Sequence, residues 1–182
     1  MTRQRDPRIE VVSSRRAFRG RIFDVLEESI QLPSGRRQKL AIVDHPGAVA
    51  VAALDADGRL LVVRQYRHAV GAWMVEIPAG RMEAGEDPLA AARRELEEET
   101  GHRARKWERI ADFFVAPGFS SENIALFLAL DLTLAGANSL QPDADEEIEL
   151  LWASPAELLE SSQDAKTLLA ASWLLRHPQG PA

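Results

Sequence analysis

The chain has 182 residues, 46% of them hydrophobic and 27% charged, which is enough for one domain with a sizeable core. It has no cysteine, which excludes disulfides, thiol catalysis and thiolate zinc sites, and points to a reducing cytoplasm. A net charge of −6 argues against nonspecific binding to nucleic acid, and no run is long or apolar enough for a membrane span or a signal peptide.

Residues 9–18 and 21–32 read as strands, and Pro33-Ser34-Gly35 turns the chain into a third at 37–43. His45-Pro46-Gly47 then punctuates, so residues 1–45 are expected as extra strands outside a main domain at 46–182. The apolar runs Ala48–Leu54 and Arg59–Gln65, joined by Asp55-Ala56-Asp57-Gly58, predict a hairpin. Trp73–Ile77 is a short strand leading into Pro78-Ala79-Gly80, where Ala79 and Gly80 are expected to let the chain turn tightly. Asp87 and Pro88 then open a helix as N-cap and first residue, and Gly101 stops it. Strands follow at Ile110–Ala116 and Ile124–Leu132, split by the loop Pro117–Asn123. A polar stretch at 135–147 precedes a strand at Ile148–Trp152, and Ser154-Pro155-Ala156-Glu157 has the form of a capping box. Asp164–Arg176 closes the chain as a helix with Leu168, Leu169, Trp173 and Leu174 on its apolar face. This order predicts an α+β fold, a mixed sheet between helices in an α/β/α sandwich, preceded by the N-terminal strands. The tryptophans Trp73, Trp107, Trp152 and Trp173 are assigned to the core. None of the four histidines needs a catalytic role, because no pair has metal-ligand helical spacing.

The segment Gly80–His102, GRMEAGEDPLAAARRELEEETGH, carries the chemistry. Helical spacing puts Glu95, Glu98 and Glu99 at i, i+3 and i+4 on one face, and turns Glu97 elsewhere. Like charges so placed destabilise a bare helix by about 0.2–0.5 kcal/mol per pair. A multivalent cation reverses that repulsion, and all-oxygen ligands suit magnesium or manganese better than zinc. Leu89, Ala92, Leu96 and Thr100 form the stripe that packs on a sheet. Arg94 adjoins the carboxylates and is expected to pair with one of them, Glu86 first, fixing its orientation.

Gly80, five residues, Glu86, seven residues, then Arg94-Glu95-Leu96-x-Glu98-Glu99-x-Gly101 resembles the signature of the Nudix hydrolases, which cleave nucleoside diphosphates linked to another moiety. The seven residues of this pattern other than Leu96, each at a background of about 6%, match by chance at one start about three times in 10⁹, which outweighs the reading as a solvated acidic face. His102 stands where the family closes with an aliphatic residue, a departure that touches packing and leaves the carboxylates intact.

The resemblance implies a Nudix fold and an Mg²⁺ cofactor, with Mn²⁺ as substitute, held by Glu95, Glu98, Glu99 and a backbone carbonyl at Ala79 or Gly80. Pro117, in a Pro-Gly-x-x-x-Glu loop sixteen residues beyond Gly101, looks like the mark of the ADP-ribose pyrophosphatase branch. Arg64-Gln65-Tyr66-Arg67 is similar to that branch's basic strand end, which makes Arg67 the phosphate contact, and Glu76-Ile77-Pro78-Ala79-Gly80 is the usual approach to the box. By the same resemblance Glu122 would bond the distal ribose, in its own subunit or its partner's, while Ala116 replaces a serine of some relatives. Phe18, Phe23 and Arg36–Arg37 are candidate contacts from the N-terminal strands, which in this branch are exchanged across a homodimer. The general base falls on Glu146 in Asp143-Ala144-Asp145-Glu146-Glu147-Ile148, with Glu147 next in line, and Glu98 and Arg94 complete the catalytic set. The implied reaction takes ADP-ribose and water to AMP and ribose 5-phosphate. Another nucleoside diphosphate sugar such as GDP-mannose, or a noncatalytic Nudix-like nucleotide sensor, are the alternatives.

Overall fold

The structure, a computed structural model, describes residues 6–136 and 147–177. Three antiparallel strands open it, β1 (Glu10–Arg19), β2 (Asp24–Gln31) and β3 (Arg37–Asp44), in the spatial order β1-β2-β3. Next come β4 (Ala48–Ala53), β5 (Leu60–Arg67), β6 (Ala72–Glu76), β7 (Ala79–Arg81) and helix α1 (Pro88–Thr100). The long strands β8 (His102–Phe114) and β9 (Asn123–Leu134) are followed by β10 (Glu149–Ala153), α2 (Pro155–Ser161) and α3 (Ala165–Arg176). A mixed sheet runs β7-β4-β9-β8 with β4 and β9 parallel, and an antiparallel sheet runs β10-β5-β6. The expected α+β architecture is present, with the N-terminal strands as a separate antiparallel sheet. None of the described helices is long and apolar enough to cross a membrane.

Strand alternation explains the layers. Every residue of β4 is buried. Val49, Val51 and Ala53, with Ala125, Phe127 and Ala129 of β9, meet Ala91, Ala92 and Leu96 of α1. Their neighbours Ala48, Ala50 and Ala52, with Ile124, Leu126 and Leu128, meet Ala170, Ala171 and Leu174 of α3 and Leu158 of α2. Successive side chains point to opposite faces, so a strand covered by helices on both sides needs an unbroken apolar run. Full burial of a Leu or Val stabilises by about 1.5–3 kcal/mol, and both faces of β4 and β9 contribute.

Helix α1 begins and ends where the sequence places it. The Asp87 side chain accepts hydrogen bonds from the backbone N–H groups of Leu89 and Ala90, and Gly101 closes the helix at φ 66°. Both halves of the Ser154–Glu157 capping box are formed.

Four expectations are corrected. The run from Ala48 to Gln65 does turn back at Asp55, whose Oδ1 accepts from the N–H groups of Asp57 and Arg59. Yet β4 and β5 share only the Leu54–Leu60 bridge and belong to different sheets. The residues of β4 and the first half of β5 are all buried, so each is enclosed by other partners instead of sharing one half-exposed ribbon. Second, Ala79–Arg81 is a short strand, pairing Ala48 with Arg81, Val49 with Gly80 and Ala50 with Ala79, where a turn was expected. Third, α3 buries Lys166, Thr167, Ala170, Ala171 and Leu174 most deeply, with Leu168, Leu169 and Trp173 half-buried beside them. Small alanines let the helix lie close to the sheet, and two carboxylates draw the lysine inward. Fourth, Trp73 and Trp152 are 44% and 38% exposed, outside the core. The Arg64 guanidinium lies 5.0 Å from the Trp73 ring centroid, and His102 meets the Trp152 ring edge-on.

The N-terminal sheet is tied to the rest through the 116–122 loop. Val43 N–H donates to the Phe119 carbonyl at 2.8 Å and Ser121 N–H to the Val43 carbonyl at 2.9 Å. At the other end Arg81 Nη1 donates to the Arg21 carbonyl at 2.7 Å, which pins the β1–β2 turn beside the approach to α1.

Candidate active site

Glu95, Glu98 and Glu99 of α1 line one side of a cavity of about 410 Å³, together with Ala79, Gly80 and Arg94. The i, i+3, i+4 spacing delivers them to the same space, while Glu97 turns away into a fork with Arg103 at 2.6 and 2.7 Å. Arg94 organises the acidic side. Its Nε and Nη2 donate to Glu86 at 3.0 Å each, and Nη1 donates to Glu95 at 2.7 Å and Glu98 at 2.8 Å. The hydrogen bond to Glu86 is the largest influence raising the Arg94 pKa; burial works against it, and Glu95 and Glu98 add to the rise. With 23% of its side chain exposed and three carboxylates on one guanidinium, Arg94 is far from an isolated surface pair.

Gly80 has a different purpose from the one expected. A Cβ there would overlap the Glu95 carboxylate, so the bare backbone makes room for that side chain. Glu99 is fixed from the same strand, its Oε2 accepting from the Ala79 N–H at 3.1 Å. The donors are all oxygens, which fits a hard divalent cation, and the space at Gly80 keeps one of them next to the β7 backbone. Among the described residues no three His, Asp or Glu side chains form a ready-made cation cage. Arg94 stands between Glu86, Glu95 and Glu98 and supplies the positive charge that holds them.

The cavity is also lined by Arg67 and Lys166. Arg67 Nε and Nη2 donate to the two oxygens of Glu76 at 2.8 Å each. Lys166 Nζ donates to Glu76 Oε2 at 2.6 Å and lies 3.0 Å from Asp164 Oδ1. Burial pushes the Glu76 carboxyl up, but the hydrogen bonds and charges of Arg67 and Lys166 outweigh it and hold the group at about 2. Glu76, read from sequence only as part of the approach to the box, is therefore the shared counter-ion of two cations.

Arg21, His45, Arg81 and Lys166 also line the cavity, and none was singled out in the sequence as a site residue. His45, for which the sequence called for no catalytic role, lies at the cavity wall. Its Nδ1 accepts from the Gly47 N–H at 3.1 Å, burial lowers its pKa, Glu122 opposes that shift and Arg81 adds to it. The only sequence signal for it was the strand-end position before Pro46-Gly47, and for Lys166 the Asp164 N-cap nearby.

Other predicted residues fall on both sides of the boundary. Glu122 lines the cavity of its own chain. Among the described residues lining the cavity, Pro117, Arg37, Phe18 and Phe23 are not found. Pro117 is exposed in the turn whose backbone clamps β3, and Arg37 is exposed at the start of β3, 3.4 Å from Gln31 Oε1. Arg21 and Ile22 of the β1–β2 turn occupy the cavity edge instead. Glu147 is exposed and is not among the described residues lining the cavity, and Glu146 lies outside the described residues.

Known proteins resemble the chain in sequence and in fold. The chain matches the NUDIX domain family over residues 44–172. It is 39% identical over 170 residues to the ADP-ribose pyrophosphatase of Bacillus subtilis (strain 168), covering 91% of each chain. It is 37% identical over 170 residues to the methanol dehydrogenase activator of Bacillus methanolicus, again 91% of each. A crystal structure of an ADP compounds hydrolase superposes with a TM-score of 0.80 over 99% of this chain and 100% of that one, at 22% identity, a likeness of fold. Box spacing, fold and relatives agree, and the chain belongs to the Nudix hydrolases.

Proposed function

We propose that this Nudix hydrolase cleaves the pyrophosphate bond of ADP-ribose, giving AMP and ribose 5-phosphate, with Mg²⁺ as cofactor and Mn²⁺ as substitute. One observation carries the reading: the box carboxylates Glu95, Glu98 and Glu99 line the same cavity as Arg67, so cation ligands and a phosphate-binding guanidinium share one space. The resemblance of the Pro117 loop and of the Arg67 strand end supports ADP-ribose as the substrate. The absence of cysteine and the small cavity accord with a cytoplasmic enzyme of small molecules.

A pyrophosphate resists hydrolysis because its own oxygens repel the incoming nucleophile. A divalent cation held by Glu95, Glu98, Glu99 and the Ala79 carbonyl supplies charge neutralisation and a water of lowered pKa. Arg94 keeps Glu95 and Glu98 oriented, and the Ala79 N–H does the same for Glu99. Arg67, with Nε and Nη2 committed to Glu76, offers its Nη1 edge to a phosphate oxygen. Glu146, or Glu147 beside it, takes the proton as water oxygen bonds to phosphorus and the bridging P–O bond breaks. The departing group leaves as a phosphomonoester. Glu122 bonds the distal ribose. The first 45 residues serve dimerisation and substrate contact, and Arg37 and Pro117, off the cavity of their own chain, are assigned to contacts across that dimer.

The test is phosphate release through a coupled phosphatase across ADP-ribose, GDP-mannose, NADH and ADP-glucose, with Mg²⁺ and with EDTA. Chelator-sensitive turnover strongest on ADP-ribose is the expected result. Preference for GDP-mannose overturns the substrate, and tight binding without turnover of any compound makes the protein a sensor.

A further inference from the structure

Among the described residues Lys166 is the only buried lysine or arginine. Lysine is seldom buried without a partner, yet Lys166 is 8% exposed and stands at the first turn of α3. Its Nζ is shared between Glu76 of β6 and Asp164, the N-cap of its own helix. Asp164 in turn accepts from Thr167 twice, from the backbone N–H at 3.0 Å and from Oγ1 at 2.6 Å. Thr167 Oγ1 then accepts from the Ile77 N–H at 2.8 Å. The start of α3 is thus bonded to Glu76 and Ile77, the two residues that lead into Pro78-Ala79-Gly80. On the far side of Glu76 lies Arg67, gripped by both carboxylate oxygens.

The charges balance as two cations against two carboxylates, and the geometry is directional. Arg67 and Glu76 form a two-bond fork, a pairing that favours one common plane, so the carboxylate constrains the plane of the guanidinium. Glu76 Oε2 also receives Lys166 from a second direction, which fixes that carboxylate against rotation. We propose that Lys166 is a positioning residue, sharing Glu76 with Arg67 so that the free Nη1 edge of Arg67 is held toward the pyrophosphate. The assignment rests on the reading of Arg67 as the phosphate contact. Lys166 acts through Glu76; without it, Glu76 keeps its pairing with Arg67 but loses the orientation, and Asp164 loses its cation. Substrate binding weakens more than the chemical step, because the phosphates are gripped both before and during bond breaking.

The experiment is a double-mutant cycle on Lys166→Met and Arg67→Ala. It uses whichever nucleoside diphosphate sugar the wild type cleaves fastest. Lys166→Met alone is expected to raise KM about tenfold with kcat changed less than about threefold, the size of a coupled charge contact. In the Arg67→Ala background the same substitution should raise KM by less than about twofold, since its effect travels through Arg67. Lys166→Arg, which keeps a cation on Glu76, should return KM toward the wild-type value and serves where Lys166→Met fails to fold. An unchanged KM in a folded Lys166→Met enzyme makes Lys166 structural only and overturns the assignment. A full KM effect without Arg67 overturns it too, because Lys166 then touches substrate itself. Wild-type preference for a substrate other than ADP-ribose removes that substrate and leaves the cycle readable.

Discussion

Gly80 shows how much of the site turns on a single carbon. Its φ is outside the left-handed region and its strand pairing with Val49 is regular, so alanine meets no backbone strain there. What it meets is the carboxylate of Glu95, the far end of a flexible side chain that can move aside. Gly80→Ala is therefore expected to fold normally, with its melting temperature within a few degrees of the wild type. Turnover falls by about 10²-fold, the usual cost of displacing a catalytic group by about an ångström. Full activity in a folded Gly80→Ala protein, measured by the phosphate-release assay, contradicts the placement of Glu95 in the cavity. The box spacing announces this glycine, and elementary reasoning about turns then misreads its purpose, because a clash between residues fifteen apart leaves no periodic trace. Arg94 was better exposed to inference. Its neighbours at i+1 and i+4 are acidic, and three of its partners follow from helix geometry and from Glu86 eight residues earlier.

At the scale of elements, the tie between β5, β6 and α3 has a consequence in acid. Glu76 has an ordinary value of 4.5 and is held at about 2 in the fold, so the unfolded chain binds more protons where the pH lies between these values. A carboxyl depressed in this way contributes its full stabilisation above about 4.5 and loses it as pH falls toward about 2. Urea unfolding of wild type and Glu76→Gln should then differ most near pH 6 and converge as the pH is lowered through this window. Parallel curves across the window contradict the pairing of Glu76 with Arg67 and Lys166. The elements themselves were legible from punctuation: Asp87, Pro88 and Gly101 bound α1, and Ser154 and Glu157 open α2. Pairing was not. A strand buried on both faces, such as β4, has no polar side to say which neighbour it takes, so a tight turn at Asp55 passed for a hairpin. For α3 the leucines were visible and the alanines and Lys166, which lie deepest, were not.

At the scale of the molecule, the N-terminal sheet contributes nothing to either core. Among the described residues up to 44, no hydrophobic side chain is buried, and nearly every residue of β1 is exposed. The register nevertheless gathers Val11, Leu26, Ile30, Leu40 and Ile42 on one face, because Val11 pairs with Ile30, Arg16 with Leu26, and Leu26 with Ile42. Glu28 lies within that face, 5% exposed, with Ser14 Oγ donating to it at 3.0 Å. Three strands with five aliphatic side chains on one face, interspersed with Ser14, Arg16, Glu28 and Gln38, gain stability by covering it, and the expected homodimer would do so by setting the sheet against its counterpart. Sedimentation equilibrium is expected to give twice the chain mass of 20.1 kDa. A two-fold interface repeats each substitution on both subunits, so Ile30→Lys places two charges in the same contact and should return the protein to single chains. Activity should fall with it, since Arg37 and the Pro117 loop reach a cavity only across the dimer on this reading. A wild-type protein that sediments as one chain while turning over substrate at the same concentration removes the dimer from the mechanism and leaves Arg21 and Ile22 as the N-terminal contribution to the site.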